Sequence, residues 1–350
     1  MNAEGWSVVR ARAPLRISFA GGGSDILDFS AEHGGAVLST TIARYAYASL
    51  WRGPHSFQID LPNLGVSEVI DPSVAAAPAV EFARLALCNV AETFAGRIEL
   101  WSECPAGSGL GSSSALIVAL VAARRRFLED EGVADPHSIA VEAYETERVR
   151  LGIQGGMQDQ FAAAYGGFNF MTFASLEGVV VQPLAVSDAV LQELRYRGML
   201  VPTGRTRVSG HILERQIDAM RRPASVARSL VREIRDLAYE ARAALEYGSI
   251  DDFAATVDAG WQLKRRLDGA ISSSDIDGLC EGLKQNGAAA AKLLGAGGGG
   301  YVLAIAGADA RPALQRYVEG LGARAETFDY EADGVCAWRA LEHEAVAARR

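Results

Sequence analysis

Three glycines that alternate with other residues, between a strand-like and a helix-like segment, constrain this chain more than any other feature. Residues 105–115 read Pro-Ala-Gly-Ser-Gly-Leu-Gly-Ser-Ser-Ser-Ala. Residues 97–103 alternate polar and apolar side chains as a strand does, and residues 115–126 form an apolar run long enough for three helical turns. Glycines let the backbone approach a ligand closely, and serines at a helix start leave free N–H groups that favour an anion. This order predicts a phosphate-binding loop.

Two well-known glycine loops do not fit this segment, and a flexible turn capped by serines stays open as an alternative. The P-loop pattern GxxxxGK[ST] is excluded because no lysine precedes the serines. The dinucleotide pattern GxGxxG is excluded because the glycines alternate strictly and no acidic residue closes a βαβ unit of about 20 residues. The rest of the chain must decide between a phosphate loop and a flexible turn.

Composition places the chain among ordinary globular proteins. Its 350 residues suggest two domains or one large one, and 49% hydrophobic content supplies material for sizeable cores. A net charge of −9 argues against a nucleic-acid partner, which requires a basic surface. An anionic substrate would therefore need a local cluster of cations. The composition leaves the oligomeric state open between monomer and homodimer.

Cysteine spacing and the absence of long apolar runs bear on the compartment. The four cysteines are scattered without a CxxC pair, which favours free thiols in a reducing cytosol over a zinc site or disulfides. The first residues show neither a basic region nor an apolar core typical of a signal peptide. The longest strongly apolar run falls far short of the about 20 residues of a membrane span. We therefore expect a cytoplasmic protein with no membrane partner.

Two further glycine segments flank the first. Residues 8–20 alternate as a strand and end in Gly-Gly-Gly-Ser-Asp, with Arg16 and Asp25 on either side of the glycines. Arg16 and Asp25 are open to two interpretations. They are a solvated arginine and a turn residue, or they are a cation and a hydroxyl-binding carboxylate at the mouth of a site. Near the other end, residues 295–300 contain five glycines and precede a strand, which indicates a nest of backbone donors or a close backbone approach.

Carboxylates and arginines between these segments are further candidates. Asp135-Pro136 predicts a helix start, and the helix carries three glutamates, including Glu147, that are most simply solvated. Asp159 follows a glycine break and is either a helix cap or a reactive carboxylate. Arg205 and Arg207 lie in a turn with threonine and serine, which suits a phosphate. The pattern of polar and apolar residues changes at residues 185–189, where we expect a domain boundary. Near the other end of the chain, residues 323–329 and 335–340 are predicted strands.

The three glycine segments, in this order and spacing, resemble those of the GHMP superfamily of small-molecule kinases. The resemblance implies an α+β, two-domain GHMP kinase fold with a ribosomal protein S5-like N-terminal domain and a ferredoxin-like α/β C-terminal domain. The domains would span residues 1–185 and 186–350. Within the family, residues 12–25, the segment Gln158-Asp159-Gln160 and residues 292–301 are most similar to the heptose 7-phosphate kinases.

The resemblance also implies site roles. Asp159 would be the catalytic base and Arg16 would lie beside the acceptor hydroxyl. Ser113 and Glu147, which stands twelve residues before Asp159 as in galactokinases, would bind Mg²⁺. The residues around the ATP phosphates would be Pro105, Gly107, Ser108, Gly109, Leu110, Gly111, Ser112, Ser113 and Ser114. The substrate-binding residues would be Gly22, Gly23, Ser24, Asp25, Gly297 and Gly298, with Arg205 and Arg207 for a substrate phosphate and Lys264 as a further candidate for it.

The implied function is a sugar 1-kinase that uses ATP and Mg²⁺. It would phosphorylate the anomeric hydroxyl of D-glycero-D-manno-heptose 7-phosphate to give the 1,7-bisphosphate. A kinase for an unphosphorylated sugar such as fucose is an alternative, as is a sensor that binds sugar and ATP without turnover. An isoprenoid acceptor is not expected, because the chain has Arg16 where mevalonate kinases have a lysine.

Overall fold

A computed structural model describes residues 8–52, 57–70, 96–128, 135–205, 210–222 and 225–340. The strands are β1 (Val8–Ala20), β2 (Gly35–Arg52), β3 (Phe57–Leu61), β4 (Val66–Ile70), β5 (Gly96–Ser102), β6 (Phe168–Phe173), β7 (Val180–Pro183), β8 (Gly198–Pro202), β9 (Ala288–Leu293), β10 (Tyr301–Ala306), β11 (Tyr330–Glu331) and β12 (Cys336–Ala340). The helices are α1 (Leu27–His33), α2 (Ser112–Leu128), α3 (Pro136–Tyr144), α4 (Gln158–Tyr165), α5 (Asp188–Arg197), α6 (Gly210–Arg221), α7 (Val226–Glu246), α8 (Ile250–Lys264), α9 (Ser274–Gln285) and α10 (Arg311–Gly320).

The larger of two sheets is organised around the antiparallel pair β1–β2. Within the described residues it has nine strands, with the order β12-β1-β2-β5-β3-β4, and β6 and β11 also pair with β2 while β7 pairs with β6. Both central strands are buried along most of their length, and α2 packs across them. Nearly every apolar residue of α2 is buried, as expected for a helix that is hydrophobic on most sides. The predicted order of strand, glycine loop and helix is confirmed by β5 and α2.

The smaller sheet has the order β8-β10-β9 and is antiparallel. A core that includes Trp261, Leu283, Leu314 and Val302 joins this sheet to the helices of the second half. Serine side chains cap the N-termini of α5, α7, α8 and α9, each accepting a hydrogen bond from a backbone N–H of the first turn. Helices α7 and α8 also pack against β1, so the second half of the chain covers the larger sheet.

Several local predictions are confirmed. Helix α3 begins after Asp135, whose carboxylate accepts from the N–H of Ser138, with Pro136 at the first helical position. Strands β6 and β7 form an antiparallel pair, as the two predicted strands at 168–173 and 179–184 require. The long helical region predicted after the basic turn is divided into α6, α7 and α8, with one break between Arg221 and Val226 and another near Gly248; Pro223 itself lies outside the described residues.

The predicted strand at residues 323–329 is wrong. This segment crosses from the smaller sheet to the larger one, so it cannot pair along its length with either. Glu326 forms an isolated bridge with Leu200, and only Tyr330–Glu331 then pairs with β2. The chain continues to β12, which pairs with β1. The last strand of the predicted 186–350 domain therefore lies in the first sheet, and the division at residue 185 stays a prediction.

None of the helices in the described ranges is long and apolar enough to cross a bilayer.

Candidate active site

The glycine loop between β5 and α2 is folded by the positive φ angles of its glycines. Gly107, Gly109 and Gly111 have φ of 79°, 81° and 73°, a region that favours glycine. A Cβ at Gly109 would lie 2.5 Å from the carbonyl oxygen of Leu294. One at Gly111 would lie 3.2 Å from Cγ of Arg16. Glycine at positions 109 and 111 therefore lets the loop fit between β1 and the third glycine segment.

The third glycine segment packs backbone against backbone on this loop. A Cβ at Gly295 would lie 2.6 Å from Cα of Gly109, and one at Gly300 would lie 2.5 Å from the carbonyl oxygen of Ser108. The N–H of Tyr301 donates to that same oxygen at 3.1 Å. Between the two segments lies a cavity of about 180 Å³, which we call the phosphate pocket. It is lined by Gly107, Gly109, Gly111, Ser113, Glu147 and Gly297, among others.

Three of the predicted ATP-binding residues, Pro105, Ser108 and Leu110, do not line the phosphate pocket but hold the loop in shape. Leu110 is fully buried in the main core, and the hydroxyl of Ser108 lies 3.4 Å from that of Ser112. Pro105 is exposed, and its carbonyl accepts from the N–H of Ser108. These residues shape the loop, whereas the glycines and the serines at the start of α2 line the pocket.

Glu147 lies on a π-helical turn, Glu145–Arg150, that follows α3 directly. Its carboxylate is 1% exposed, and its Oε2 accepts from Ser114 Oγ at 2.7 Å and from Gln160 Nε2 at 2.6 Å. Its Oε1 accepts from Ser113 Oγ at 3.2 Å. Wide π turns often occur at functional sites because they redirect side chains. The turn thus directs both carboxylate oxygens at the serines that begin α2.

The hydroxyl of Ser113 and the carboxylate of Glu147 fit a magnesium ion. Neighbouring ligands of an octahedral Mg²⁺, each about 2.1 Å from the ion, are about 3.0 Å apart. Ser113 Oγ and Glu147 Oε1 are separated by 3.2 Å. The described residues contain no cluster of three or more His, Cys, Asp or Glu side chains that could hold a metal. One hydroxyl and one carboxylate suit Mg²⁺ because this ion usually keeps waters and takes phosphate oxygens as well.

Arg16 and Asp159 form a two-pronged ion pair at the edge of the phosphate pocket. Arg16 Nε donates to Asp159 Oδ1 at 2.8 Å and Nη2 to Oδ2 at 2.9 Å. The remaining nitrogen, Nη1, donates to the carbonyl oxygen of Gly109 at 2.6 Å. Such paired bonds fix both side chains in one plane. The predicted cation and carboxylate therefore meet each other and the glycine loop, although they stand on β1 and α4.

A second cavity, of about 100 Å³, lies on the other side of this pair, and we call it the acceptor pocket. Its lining includes Gly22, Gly23, Asp25, Gln158, Lys264 and Lys292. Arg16, Arg148 and Asp159 line both pockets. The structure therefore places a cation and a carboxylate where the two cavities meet.

Asp25 is buried at the back of the acceptor pocket. Burial raises the pKa of its carboxyl above the ordinary value, and the charge of Asp159 acts in the same direction. Its Oδ1 accepts from the N–H of Gly23 and from Gln158 Nε2, both at 2.9 Å, and its Oδ2 accepts from the N–H of Gln158 at 3.1 Å. A Cβ at Gly156 would lie 1.9 Å from Oδ2, so glycine there lets α4 approach Asp25.

Ser24, although predicted as a substrate-binding residue, uses its side chain within the fold. Its hydroxyl donates to the carbonyl oxygens of Gly21 and Ala36 and accepts from the N–H of Ala36. It is fully buried and does not line the acceptor pocket. Its role is to hold the glycine turn against β2.

The remaining predicted substrate residues lie elsewhere. Arg205 is exposed and forms an ion pair with Asp275, outside both pockets. Arg207 lies outside the described residues. Gly297 lines the phosphate pocket, and the N–H of Gly298 donates to Ile271 at 2.9 Å. Gly297 thus belongs to the wall of the phosphate pocket, Gly298 lines neither pocket, and binding of substrate by Arg205 stays a prediction.

Lys264, predicted as a further candidate for a substrate phosphate, lines the acceptor pocket, whereas Arg148, Gln158 and Lys292 line it without having been predicted as site residues. Burial, and after it the nearby charge of Arg16, lower the pKa of Lys264 to about 8, while Asp25 and Asp159 oppose the shift. Burial also lowers the pKa of Lys292 well below its ordinary value. Lysine stands at just three positions of the sequence.

Comparisons with known proteins agree with this geometry. The family model "GHMP kinases N terminal domain" matches residues 78–167, and "GHMP kinases C terminal" matches residues 213–323, which together make up more than half of the chain. The chain is 29% identical to a D-glycero-alpha-D-manno-heptose 7-phosphate kinase of Campylobacter jejuni, over 95% of this chain and 99% of that protein. It is 28% identical to a bifunctional fucokinase/GDP-fucose pyrophosphorylase of Arabidopsis thaliana, over 85% of this chain and 30% of that protein.

Solved structures show the same fold. A D-glycero-D-manno-heptose 1-phosphate kinase from Bacteroides thetaiotaomicron superposes with a TM-score of 0.78 at 26% identity, over 95% of this chain and all of that one. A galactokinase from Lactococcus lactis in complex with galactose has a TM-score of 0.71 at 17% identity, over 95% of each chain. The family and fold predicted from the three glycine segments are confirmed. The chain belongs to the GHMP kinase family, has its two-domain fold and is a phosphotransferase.

Proposed function

We propose that this protein transfers the terminal phosphoryl group of ATP to the anomeric C1 hydroxyl of D-glycero-D-manno-heptose 7-phosphate. The products are ADP and the 1,7-bisphosphate, and the reaction requires Mg²⁺. The observation that carries this proposal is the Arg16–Asp159 pair, which borders both the phosphate pocket and the acceptor pocket. The choice of acceptor is supported by the heptose 7-phosphate kinase that is 29% identical over 95% of this chain.

The phosphate pocket suits the nucleotide because it presents main chain and a helix N-terminus. Backbone N–H groups of the glycine loop and the start of α2 favour the phosphate anions. Ser113 and Glu147 would hold Mg²⁺, which neutralises phosphate charge when bound. Phosphoryl transfer needs little covalent help from the protein, so positioning and charge neutralisation supply most of the catalysis.

Asp159 is the proposed base. The oxygen of the C1 hydroxyl forms a bond to the terminal phosphorus as the bond between that phosphorus and the bridging oxygen of ADP breaks. The hydroxyl proton passes to a carboxylate oxygen of Asp159. Arg16 keeps this carboxylate in place through two hydrogen bonds and contacts the loop at Gly109, so its positive charge lies beside the path of the transferred group.

Asp25 is the proposed anchor for sugar hydroxyls. Three N–H donors from Gly23 and Gln158 fix its carboxylate in the acceptor pocket. A carboxylate offers about four acceptor positions, so one more hydrogen bond is available on Oδ2. Because the group is buried, a sugar hydroxyl that donates to it forms a bond protected from competing water.

An unphosphorylated sugar such as fucose is the second candidate acceptor. It is supported by two relatives named for fucokinase activity, one from Arabidopsis thaliana at 28% identity and one from Bacteroides fragilis at 26% identity. This chain spans only about a third of each of those proteins. The requirement for a phosphate at C7 separates this candidate from the first.

The test is ADP release by the purified protein with ATP and Mg²⁺ against D-glycero-D-manno-heptose 7-phosphate, mannose, fucose, galactose and mevalonate. We expect turnover with the heptose phosphate alone, and a phosphorus NMR signal of the product coupled to the anomeric proton. Turnover with fucose and not with the heptose phosphate would replace the proposed acceptor. Nucleotide binding without turnover on any acceptor would favour a sensor.

A further inference from the structure

Lysine is rare in this chain, and two of its three lysines line the acceptor pocket. The sequence has 34 lysines and arginines, and the lysines stand only at positions 264, 284 and 292. Lys284 lies on α9 and pairs with Asp258 at 2.6 Å. Lys264, at the end of α8, and Lys292, on β9, both face the acceptor pocket. A lysine carries a compact charge with three donors, whereas arginine presents a planar fork.

The two pocket lysines differ in how their donors are used. Lys292 Nζ donates to the carbonyl oxygens of Ser18 and Phe19, at 2.8 and 2.6 Å, and thereby ties β9 to β1. Lys264 Nζ donates to one carbonyl oxygen, that of Gly295, at 2.6 Å. Within the described residues Lys264 has no ion pair, and two of its three protons have no acceptor.

The carboxylates near Lys264 are held by other donors, and within the described residues neither forms an ion pair with it. Asp159 is paired through both oxygens with Arg16. Asp25 accepts from Gly23 and Gln158. Lys264 is half-buried and open to the pocket, and its lowered pKa shows that its ammonium is costly to keep charged there. An anion that enters the pocket with the substrate would remove that cost.

The side chains that line the acceptor pocket carry a net positive charge, although the chain as a whole carries a net charge of −9. Its lining has four cations, Arg16, Arg148, Lys264 and Lys292, against the carboxylates of Asp25 and Asp159. Arg148 is partly neutralised from outside the pocket by Glu147, whose Oε1 lies 3.2 Å from Arg148 Nη1. A neutral sugar does not balance this excess, whereas a phosphate does.

We infer that Lys264 is a phosphate ligand in the acceptor pocket, with its two unused donors directed at phosphate oxygens. The inference rests on the proposed function, because it assumes that the pocket holds the acceptor. The phosphate has two possible sources: the phosphate that the acceptor already carries, or the phosphoryl group in transfer from ATP. Lys264 replaces Arg205 as the candidate, since Arg205 is exposed and paired with Asp275 outside the pocket.

The test compares Lys264→Met with two matched variants, Lys284→Met and Arg205→Met. Each substitution replaces a cation with an unbranched side chain of similar length. Thermal unfolding of Lys264→Met should stay close to the wild type, because the substitution removes one hydrogen bond, to Gly295, and also the cost of a half-buried charge. Lys264→Arg, which keeps the charge, serves as a second variant and should lose less than Lys264→Met.

Steady-state kinetics with heptose 7-phosphate distinguish the sources by separating KM from kcat. If the ligand is the acceptor's own phosphate, Lys264→Met raises KM for heptose 7-phosphate by about 10- to 100-fold, as for a lost charge-assisted hydrogen bond, and leaves kcat close to that of the wild type. If the ligand is the phosphoryl group in transfer, kcat falls by a similar factor and KM changes little. Wild-type kinetics in Lys264→Met, or the KM effect in Arg205→Met instead, would overturn the inference.

A binding measurement keeps this result separate from the identity of the acceptor. Calorimetric titration of the protein with inorganic phosphate, at saturating ADP and Mg²⁺, does not require turnover. We expect Lys264→Met to weaken phosphate binding at least tenfold and Lys284→Met to leave it unchanged. If the wild type rejects heptose 7-phosphate and this loss is still seen, the proposed acceptor is wrong and the inference stands. Equal phosphate affinity in Lys264→Met and the wild type would refute the inference whatever the acceptor is.

Discussion

The two pockets that meet at Arg16 and Asp159 are built from different materials. One wall of the phosphate pocket is main chain, where two glycine segments touch at Gly109 and Gly295 with no room for a Cβ. The acceptor pocket is distinguished by charged side chains from separate elements, among them Asp25 after β1 and Lys264 at the end of α8. The main-chain wall is a property of the fold, whereas the charges of the acceptor pocket are a property of individual residues.

This difference explains how one fold can serve several acceptors. A pocket made of main chain changes only if the backbone moves, so proteins that share the fold share the means of holding phosphates. A pocket made of side chains can change by substitution while the backbone stays in place. The relatives of this chain carry the names of heptose phosphate kinase, fucokinase and mevalonate kinase, and such a range is expected if the acceptor pocket alone varies.

The largest effect is expected at the junction of the two pockets. Asp159→Ala removes the proposed base, and we expect turnover to fall by about 10²- to 10⁴-fold, the usual contribution of general-base catalysis. Nucleotide binding should change little, because Asp159 lies at the edge of the phosphate pocket and not in its main-chain wall. Stopped assays of ADP release, together with calorimetric titration of ATP, measure the two quantities. Turnover close to that of the wild type would remove Asp159 from the mechanism.

The next largest effect is expected where the two glycine segments touch, and it tests how far this contact determines the phosphate pocket. Gly109→Ala places a Cβ 2.5 Å from the carbonyl oxygen of Leu294 at φ of 81°, so backbone must move. We expect the free energy of unfolding to fall by about 3 kcal/mol and ATP affinity to fall with it. Gly65→Ala is the control, because Gly65 has φ of 64° but no atom within 4 Å of a Cβ.

The control variant should lose only about 1 kcal/mol, the cost of the positive φ angle itself. Denaturant unfolding of both variants measures the difference. Equal losses would mean that the contact between the glycine segments adds nothing to stability, and the comparison of the two pockets would fail.

The same contrast explains what the sequence could predict. A pocket of main chain needs glycines at special φ angles and a helix start, and these leave a local signature at residues 105–115. The alternation of β1 and the Asp-Pro start of α3 are local for the same reason. The glycines and serines of the phosphate pocket are therefore predictable from the sequence, and the family that they indicate is confirmed.

The acceptor pocket leaves such a signature only at Gly22, Gly23 and Asp25, and its cations leave none. Lys264 and Arg148 lie on helical segments whose spacing does not distinguish them from surface cations, and they reach the pocket only through tertiary packing. The π turn that aims Glu147 is likewise invisible in a pattern that reads as ordinary helix. Strand β9 begins with four alanines, which favour helix, yet it pairs with β10 and packs under α8, so tertiary packing overrides local propensity.

A smaller effect is expected from Glu147→Gln. The substitution keeps the size of the side chain but removes the charge proposed to hold Mg²⁺, so we expect the Mg²⁺ concentration for half-maximal activity to rise about tenfold. Glu145→Gln, on the same π turn but outside the phosphate pocket, is the control and should leave the requirement unchanged. Magnesium titrations of ADP release measure both. Identical titrations for the two variants would argue against Glu147 as a ligand.

The smallest effect concerns pH and separates the acceptor pocket from the phosphate pocket. Lys264, whose ammonium faces Arg16, Asp25, Asp159 and Lys292, has a pKa of about 8, so it binds an anion below that pH and loses this ability above it. Between pH 7 and pH 8.5 its protonated fraction falls roughly fourfold, while a phosphate with a second pKa of about 6 stays charged. We expect KM for the phosphorylated acceptor to rise by roughly that factor and KM for ATP to stay level. Lys264→Arg should abolish the rise, since arginine remains charged, and a rise that persists in this variant would assign the pH dependence to another group.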